Sequence, residues 1–214
     1  MDKTKIAVDL FDEYAEAYQD KFMNVDLYKE SLDAFCSTVE KPNASILELG
    51  CGPGNVTKYL LSKRGDLKIL GTDLSENMLA LAQKNNPGAR FRVMDCRAAG
   101  GLEEKFDGVV AGFCLPYLTK EEAIRLIRDT VKALLPGGAL YLSTMEDDYA
   151  KSGMKNSSDG KRSIYIHYHQ ADYLLDALEK SGFSITHVSR KLSTDTYGEQ
   201  VTDLLLVAQL KKTD

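Results

Sequence analysis

The sequence carries no surplus of basic charge: 32 Asp and Glu stand against 27 Lys and Arg, for a formal net charge of -5. A broad cationic surface of the kind that phosphate backbones attract is therefore not expected, and neither is a nucleic-acid partner. No apolar run approaches the length of a membrane span, which argues against a membrane partner. Nor is the opening Met1-Asp2-Lys3-Thr4-Lys5 followed by the apolar core of a secretory signal, so a cytoplasmic location is expected. Cys36, Cys51, Cys96 and Cys114 are separated by long irregular gaps without a Cys-x-x-Cys pair, which excludes a disulfide framework and a zinc knuckle; reduced thiols and no metal are expected. There is no internal repeat and no Pro/Gly-rich linker, so residues 1–214 are read as one domain. A balance of 43% hydrophobic and 28% charged residues is enough apolar material to build its core.

What is present is an alternation of strand and helix patterns. Phe11, Tyr14, Ala15, Tyr18 and Phe22 recur at helical spacing, as do Tyr28, Leu32, Phe35 and Val39, predicting two helices in a segment, 1–42, ahead of the main pattern. From Ser45 a short apolar run ends in a glycine cluster, and helical spacing resumes at Val56, Tyr59 and Leu60. Lys68 to Thr72 reads as a second strand ending at Asp73, with Ser75 as helix cap. Further strands are predicted over 90–94, 106–113 and 139–144, and Thr119 with Glu122 fits a capping box for a helix stopped by Pro136-Gly137-Gly138. A helix over 171–180 and two closing strands, 183–190 and 201–210, complete the pattern. Seven strands interleaved with helices imply an α/β fold: a doubly wound, mostly parallel sheet with one antiparallel strand from the C-terminal hairpin, whose turn falls near residues 193–199. The polar stretch 151–163 interrupts the alternation and reads as a mobile loop or hairpin near the carboxyl edge of the sheet.

The functional signal lies where the first strand turns into the first helix of the core, at Glu48-Leu49-Gly50-Cys51-Gly52-Pro53-Gly54-Asn55. Glycines there allow a tight turn and close approach of a ligand, and free amides at a helix start favour negative charge. In open α/β sheets ligands sit at the carboxyl ends of the strands, so Gly54, Asp73, Asp95 and Phe113 to Tyr117 should converge on one pocket. Dinucleotide-binding domains use G-x-G-x-x-G, which requires glycine at 55; this chain has Asn55.

The run from Glu48 to Gly54, with Asp73 closing the second strand, Asp95 the third, and Leu134-Leu135-Pro136-Gly137-Gly138 before the fifth, resembles class I S-adenosylmethionine-dependent methyltransferases of the small-molecule type in order and spacing. The resemblance covers roughly residues 45–145, the expected cofactor core. A looser one makes Phe11-Asp12-x-x-Ala15-x-x-Tyr18 similar to the helix that caps the cofactor in many small-molecule members. It implies a seven-stranded Rossmann-like fold, S-adenosyl-L-methionine as cofactor and S-adenosyl-L-homocysteine as product. Asp73 would hold the two ribose hydroxyls, since one carboxylate accepts two hydrogen bonds; capping the helix before Ser75 is its bland alternative. Asp95 would accept the adenine amino hydrogen, with the Cys96 amide facing the ring, or would simply cap a turn. Glu48 would attract the ammonium of the methionine moiety, and Gly50, Cys51, Gly52 and Gly54 would pass close to the cofactor. Leu74 and Met78 would flank adenine and ribose, or pack as core. Phe113 and Cys114 would line the space where methyl group and acceptor meet. Tyr14 and Tyr18, one helical turn apart, would close over the cofactor or pack as core.

The implied reaction is in-line displacement of the sulfonium methyl by a small-molecule acceptor, with 151–163 and the first helices as a lid and the protein as monomer or homodimer. If the acceptor must lose a proton, the candidates for a base are His167, His169, Tyr14 and Tyr18. Cys114-Leu115-Pro116-Tyr117 shares only its last two residues with the Asn/Asp-Pro-Pro-Tyr/Phe motif of amino-group methyltransferases that act on bases or glutamine, a departure that disfavours such substrates. The competing readings are a non-catalytic sensor or subunit with the same pocket, and a nicotinamide-dependent oxidoreductase.

Overall fold

A computed structural model describes residues 3–156, 163–195 and 199–212. Three helices come first, α1 (Lys3–Glu13), α2 (Ala15–Phe22) and α3 (Lys29–Thr38). The sequence pattern predicted two, because Phe11 to Phe22 keeps one helical phase across Tyr14. At Tyr14 the backbone leaves the helix (φ -110°, ψ 21°), dividing that stretch. The core then alternates: β1 (Ser45–Leu49), α4 (Asn55–Lys63), β2 (Lys68–Asp73), α5 (Glu76–Asn85), β3 (Arg90–Val93), β4 (Phe106–Gly112), α6 (Lys120–Ala133) and β5 (Leu134–Glu146). After it come β6 (Gly153–Asn156), β7 (Ser163–Ile166), α7 (Ala171–Lys180), β8 (Phe183–Thr194) and β9 (Gln200–Leu210).

Among the described residues, seven strands form one sheet in the order β3-β2-β1-β4-β5-β9-β8. β9 alone runs antiparallel, paired with β5 on one side and β8 on the other. Successive residues of a strand face opposite ways, and the two cores divide accordingly. Leu47, Val109, Leu140, Leu142 and Leu206 pack on one face with α6 and α7 residues such as Leu126 and Leu178. Ile46, Ile69, Val110, Tyr141 and Val207 pack on the other with Phe35 and Leu60 from α3 and α4.

The predicted caps are present. Ser75 Oγ accepts the Met78 amide at 3.0 Å, while Thr119 and Glu122 bond each other's backbone amides at 3.2 and 2.8 Å. One expectation needs correction. β5 begins at Leu134, directly after α6, because Pro136-Gly137-Gly138 is accommodated by a register shift against β4 instead of forming a separate turn. Of the two readings given to the polar stretch, loop or hairpin, the pairing of Gly153–Asn156 with Ser163–Ile166 as a second, two-stranded sheet favours the latter; the intervening 157–162 lie outside the described residues, as do 196–198 in the predicted β8–β9 turn. Ile164, Ile166 and Tyr168 pack with Ala7 of α1, so this hairpin supports the cap helix. Among the described residues no helix is long and apolar enough to cross a membrane.

Candidate active site

Strand order reverses between β1 and β4: from β1 the chain builds toward β2 and β3, from β4 toward β5. Loops leaving the carboxyl ends on either side of such a switch point diverge and leave a crevice. A cavity of about 810 Å³, its open mouth included, lies there.

The glycine bend forms one wall. Gly50, Gly52 and Gly54 all hold positive φ (66°, 52° and 79°), a conformation side chains strongly disfavour. Gly50 and Gly52 line the cavity. Gly54 does not; it is the N-cap of α4, and a side chain there would strike Ala82 of α5 and Asn86 just beyond that helix. Cys51 also turns away from the cavity and is buried with Leu79 and Ala82.

At the tip of β2, Asp73 faces the cavity. It accepts the Gly52 amide at 2.9 Å through Oδ2 and the Ser75 amide at 2.9 Å through Oδ1. Burial raises its carboxyl above the usual range, against the pull of those amide bonds. Asp95, at the tip of β3, also reaches the wall, but Arg97 holds both its oxygens: Nε at 3.0 Å from each and Nη2 at 2.6 Å from Oδ2. Arg97 Nη1 continues to Glu122 Oε1 at 2.9 Å, so the glutamate that caps α6 also anchors the Asp95 side of the cavity. Arg97 went unnoticed in the sequence; its signal was a cation two residues past a strand-tip acid. A carboxylate has about four lone-pair directions, so Asp95 retains capacity for another donor.

Leu74, Met78, Met94 and Cys96 complete that side, and Phe113, Cys114, Tyr117 and Leu118 the side beyond β4. Phe113 holds φ 54°, unusual for a bulky residue and a form of strain that collects at functional sites. It is fixed there by its amide, which donates to Ser143 Oγ at 3.0 Å, and by the Tyr28 ring at 5.1 Å. From above, Thr4, Ala7, Val8 and Phe11 of α1 and Tyr18 of α2 close the cavity.

Glu48 was expected to face the ligand. The structure places it 2% exposed behind the bend, not on the cavity wall, with the Thr57 hydroxyl donating to Oε2. Burial, with a smaller push from the Asp73 charge, raises its carboxyl to about 8. The residues proposed as bases also divide. Tyr18 lines the cavity, but burial and then the Asp73 charge push its phenol up to about 12, so it keeps its proton at neutral pH. Tyr14, at the break, is 38% exposed and not on the wall. His167 is buried, stacked on Tyr149, whose hydroxyl is 3.2 Å from Nδ1.

His169 is fully buried, with Nε2 2.8 Å from the Leu115 carbonyl and Nδ1 bonded to the Tyr173 hydroxyl. This pattern fits a neutral ring donating to Leu115 and accepting from Tyr173, and burial lowers its pKa to about 4. Neither histidine lines the cavity. Because the folded pKa of His169 lies below its ordinary 6.5, its contribution to stability is present above pH 6.5 and lost as pH falls toward 4. Urea unfolding is expected to show His169→Gln losing about 1–3 kcal/mol less than the parent between pH 7 and 4.5. Equal losses in the two proteins would remove His169 as an acid-labile tie.

Comparison with known proteins adds three findings. Residues 46–138 match the model of a methyltransferase domain. The trans-aconitate 2-methyltransferase of Variovorax paradoxus is 38% identical over 46% of this chain and 38% of its own length; the chain spans only about a third of the length of this and two other curated relatives that it matches. Two solved structures cover more. An S-adenosylmethionine-dependent methyltransferase from Mesorhizobium loti is 25% identical with a TM-score of 0.67, covering 87% of this chain and 99% of its own. Magnesium protoporphyrin IX methyltransferase from Synechocystis PCC 6803, with bound cofactor, has a TM-score of 0.71 at 19% identity, over 99% of this chain and 98% of its own, a likeness of fold.

Proposed function

We propose that the chain is a class I S-adenosylmethionine-dependent methyltransferase, in keeping with the methyltransferase domain that residues 46–138 match, and that it transfers the sulfonium methyl of S-adenosylmethionine to a small-molecule acceptor, releasing S-adenosylhomocysteine. The observation that carries the reading is Asp73: a largely buried carboxylate on the cavity wall, its recorded partners backbone amides, beside two positive-φ glycines. An anionic acceptor with spare lone pairs at the end of β2 suits a vicinal diol, so the residues present fit the adenosyl group.

In this reading Asp73 holds the ribose hydroxyls, Gly50 and Gly52 let the main chain approach, and Leu74 and Met78 flank the base, whose amino group Asp95 accepts while Arg97 fixes its carboxylate. The bound cofactor supplies an already activated methyl group. What the protein adds is alignment and exclusion of water, through Phe113, Cys114 and Tyr117 on one side and Phe11 and Tyr18 above. Tyr18 presents an uncharged ring toward the cavity, and aromatic faces stabilise nearby cations. Glu48 acts through the bend: its bond to Thr57 ties β1 to α4 behind the glycines. A cytoplasmic, monomeric or homodimeric enzyme acting without metal is part of the reading.

Calorimetry with S-adenosylmethionine, S-adenosylhomocysteine and NADH tests the cofactor. Micromolar binding of the first two and none of NADH is expected; the reverse preference overturns the reading. Transfer of labelled methyl from the cofactor into a metabolite extract separates an enzyme from a sensor that binds without turnover.

A further inference from the structure

α1 covers the cavity, resting on the small sheet through Ala7 and on Tyr117 through the Phe11 ring. It is 11 residues long, only Ala7 among them is buried, and the break at Tyr14 separates it from α2. A helix so short is marginal unless something fastens it. Beyond that packing, its hydrogen-bonded tie to α5 is at Asp12. Its Oδ1 accepts the Ser75 hydroxyl at 2.6 Å and the Asn77 amide at 3.0 Å; its Oδ2 accepts Asn77 Nδ2 at 3.0 Å, and the same Nδ2 donates to the Asp12 carbonyl at 3.1 Å.

All these donors lie at the amino end of α5, where the helix dipole favours a carboxylate. Ser75 is also the residue whose amide donates to Asp73 at 2.9 Å. One residue thus joins the cap helix to the carboxylate on the cavity wall. The carboxyl of Asp12 is held below its usual range, first by the Ser75 hydroxyl and then by the Asn77 amide.

We propose that Asp12 is the positioning residue that latches α1 over the bound S-adenosyl ligand, so that the ligand leaves only after the Asp12 bonds to Ser75 and Asn77 part. The proposal rests on the reading that this cavity holds that ligand. A latch of this kind governs departure more than arrival, because the open form binds before α1 is fastened.

Stopped-flow binding of S-adenosylhomocysteine tests it on the full chain. Asp12→Ala is expected to raise the dissociation rate roughly tenfold, the scale of losing charge-assisted hydrogen bonds, with association nearly unchanged. Asn77→Ala, which spares the Ser75 bond, should shift the rate in the same direction by less. Amide exchange adds a readout that loss of general stability would not give: the ligand should protect residues 4–11 in the parent and fail to do so in Asp12→Ala, while protection of the β-sheet amides stays equal. Binding to the parent with dissociation within twofold in both variants overturns the latch alone. Failure of the parent to bind S-adenosylhomocysteine overturns the latch together with the reading beneath it.

Discussion

Asp73→Asn is expected to weaken S-adenosylhomocysteine binding roughly 100-fold while the protein stays folded. The carboxylate already accepts the Gly52 and Ser75 amides, and in the proposed role it accepts two ribose hydroxyls as well. An asparagine has one acceptor oxygen, so it can keep one amide bond while its NH2 faces the other donor. The fold then loses about 1 kcal/mol, a single strained amide contact, whereas the diol loses its charged acceptor. Calorimetry paired with a thermal melt separates the two effects. An affinity within threefold of the parent, in a variant that melts normally, would leave Asp73 as a structural cap and withdraw it from cofactor binding.

The second large effect concerns Glu48. Its carboxyl is raised to about 8 from an ordinary 4.5, mainly by burial. The folded state therefore keeps a proton that the unfolded chain gives up, so the stability this provides is complete below pH 4.5 and disappears as pH climbs through about 8. Glu48→Gln stays neutral throughout and can still accept the Thr57 hydroxyl. Relative to the parent, the variant is expected to gain on the order of 3 kcal/mol between pH 5 and 8.5. Urea denaturation at those two values measures it, and parallel pH profiles for the two proteins would show that Glu48 is ionised in the folded state throughout.

The bend and the strand-tip acids were legible because they are local: a glycine cluster after an apolar run marks a strand-to-helix turn whatever surrounds it. Asp73 and Asp95 followed from the ends of two strands, and the sheet rule brings such ends together. Glu48 shows where that logic stops. Its place on β1 was clear, but the choice between cavity and interior depended on Thr57, one turn into the next helix. Arg97 escaped because a salt bridge between residues two apart leaves no periodic trace, and its tie to Glu122 spans 25 positions. α1 was half seen: Phe11 carried the apolar phase, while Thr4, Ala7 and Val8 gain importance only from what they cover. The pairing of 153–156 with 163–166 was open as one of two readings, loop or hairpin, because its polar composition carries no strand signal; its packing against α1 left no trace in the sequence.

The sheet order carries a consequence for how the chain assembles. β9 lies between β5 and β8, so β8, although made earlier, has no seat until β9 arrives. Until residues 204–209 pair with β5, the Ala139 to Thr144 stretch is a bare, apolar sheet edge of the kind that recruits other chains. During synthesis, then, the glycine bend and strand-tip acids can form while the last two of the seven strands are still to come, and that interval is when the molecule most needs protection from aggregation.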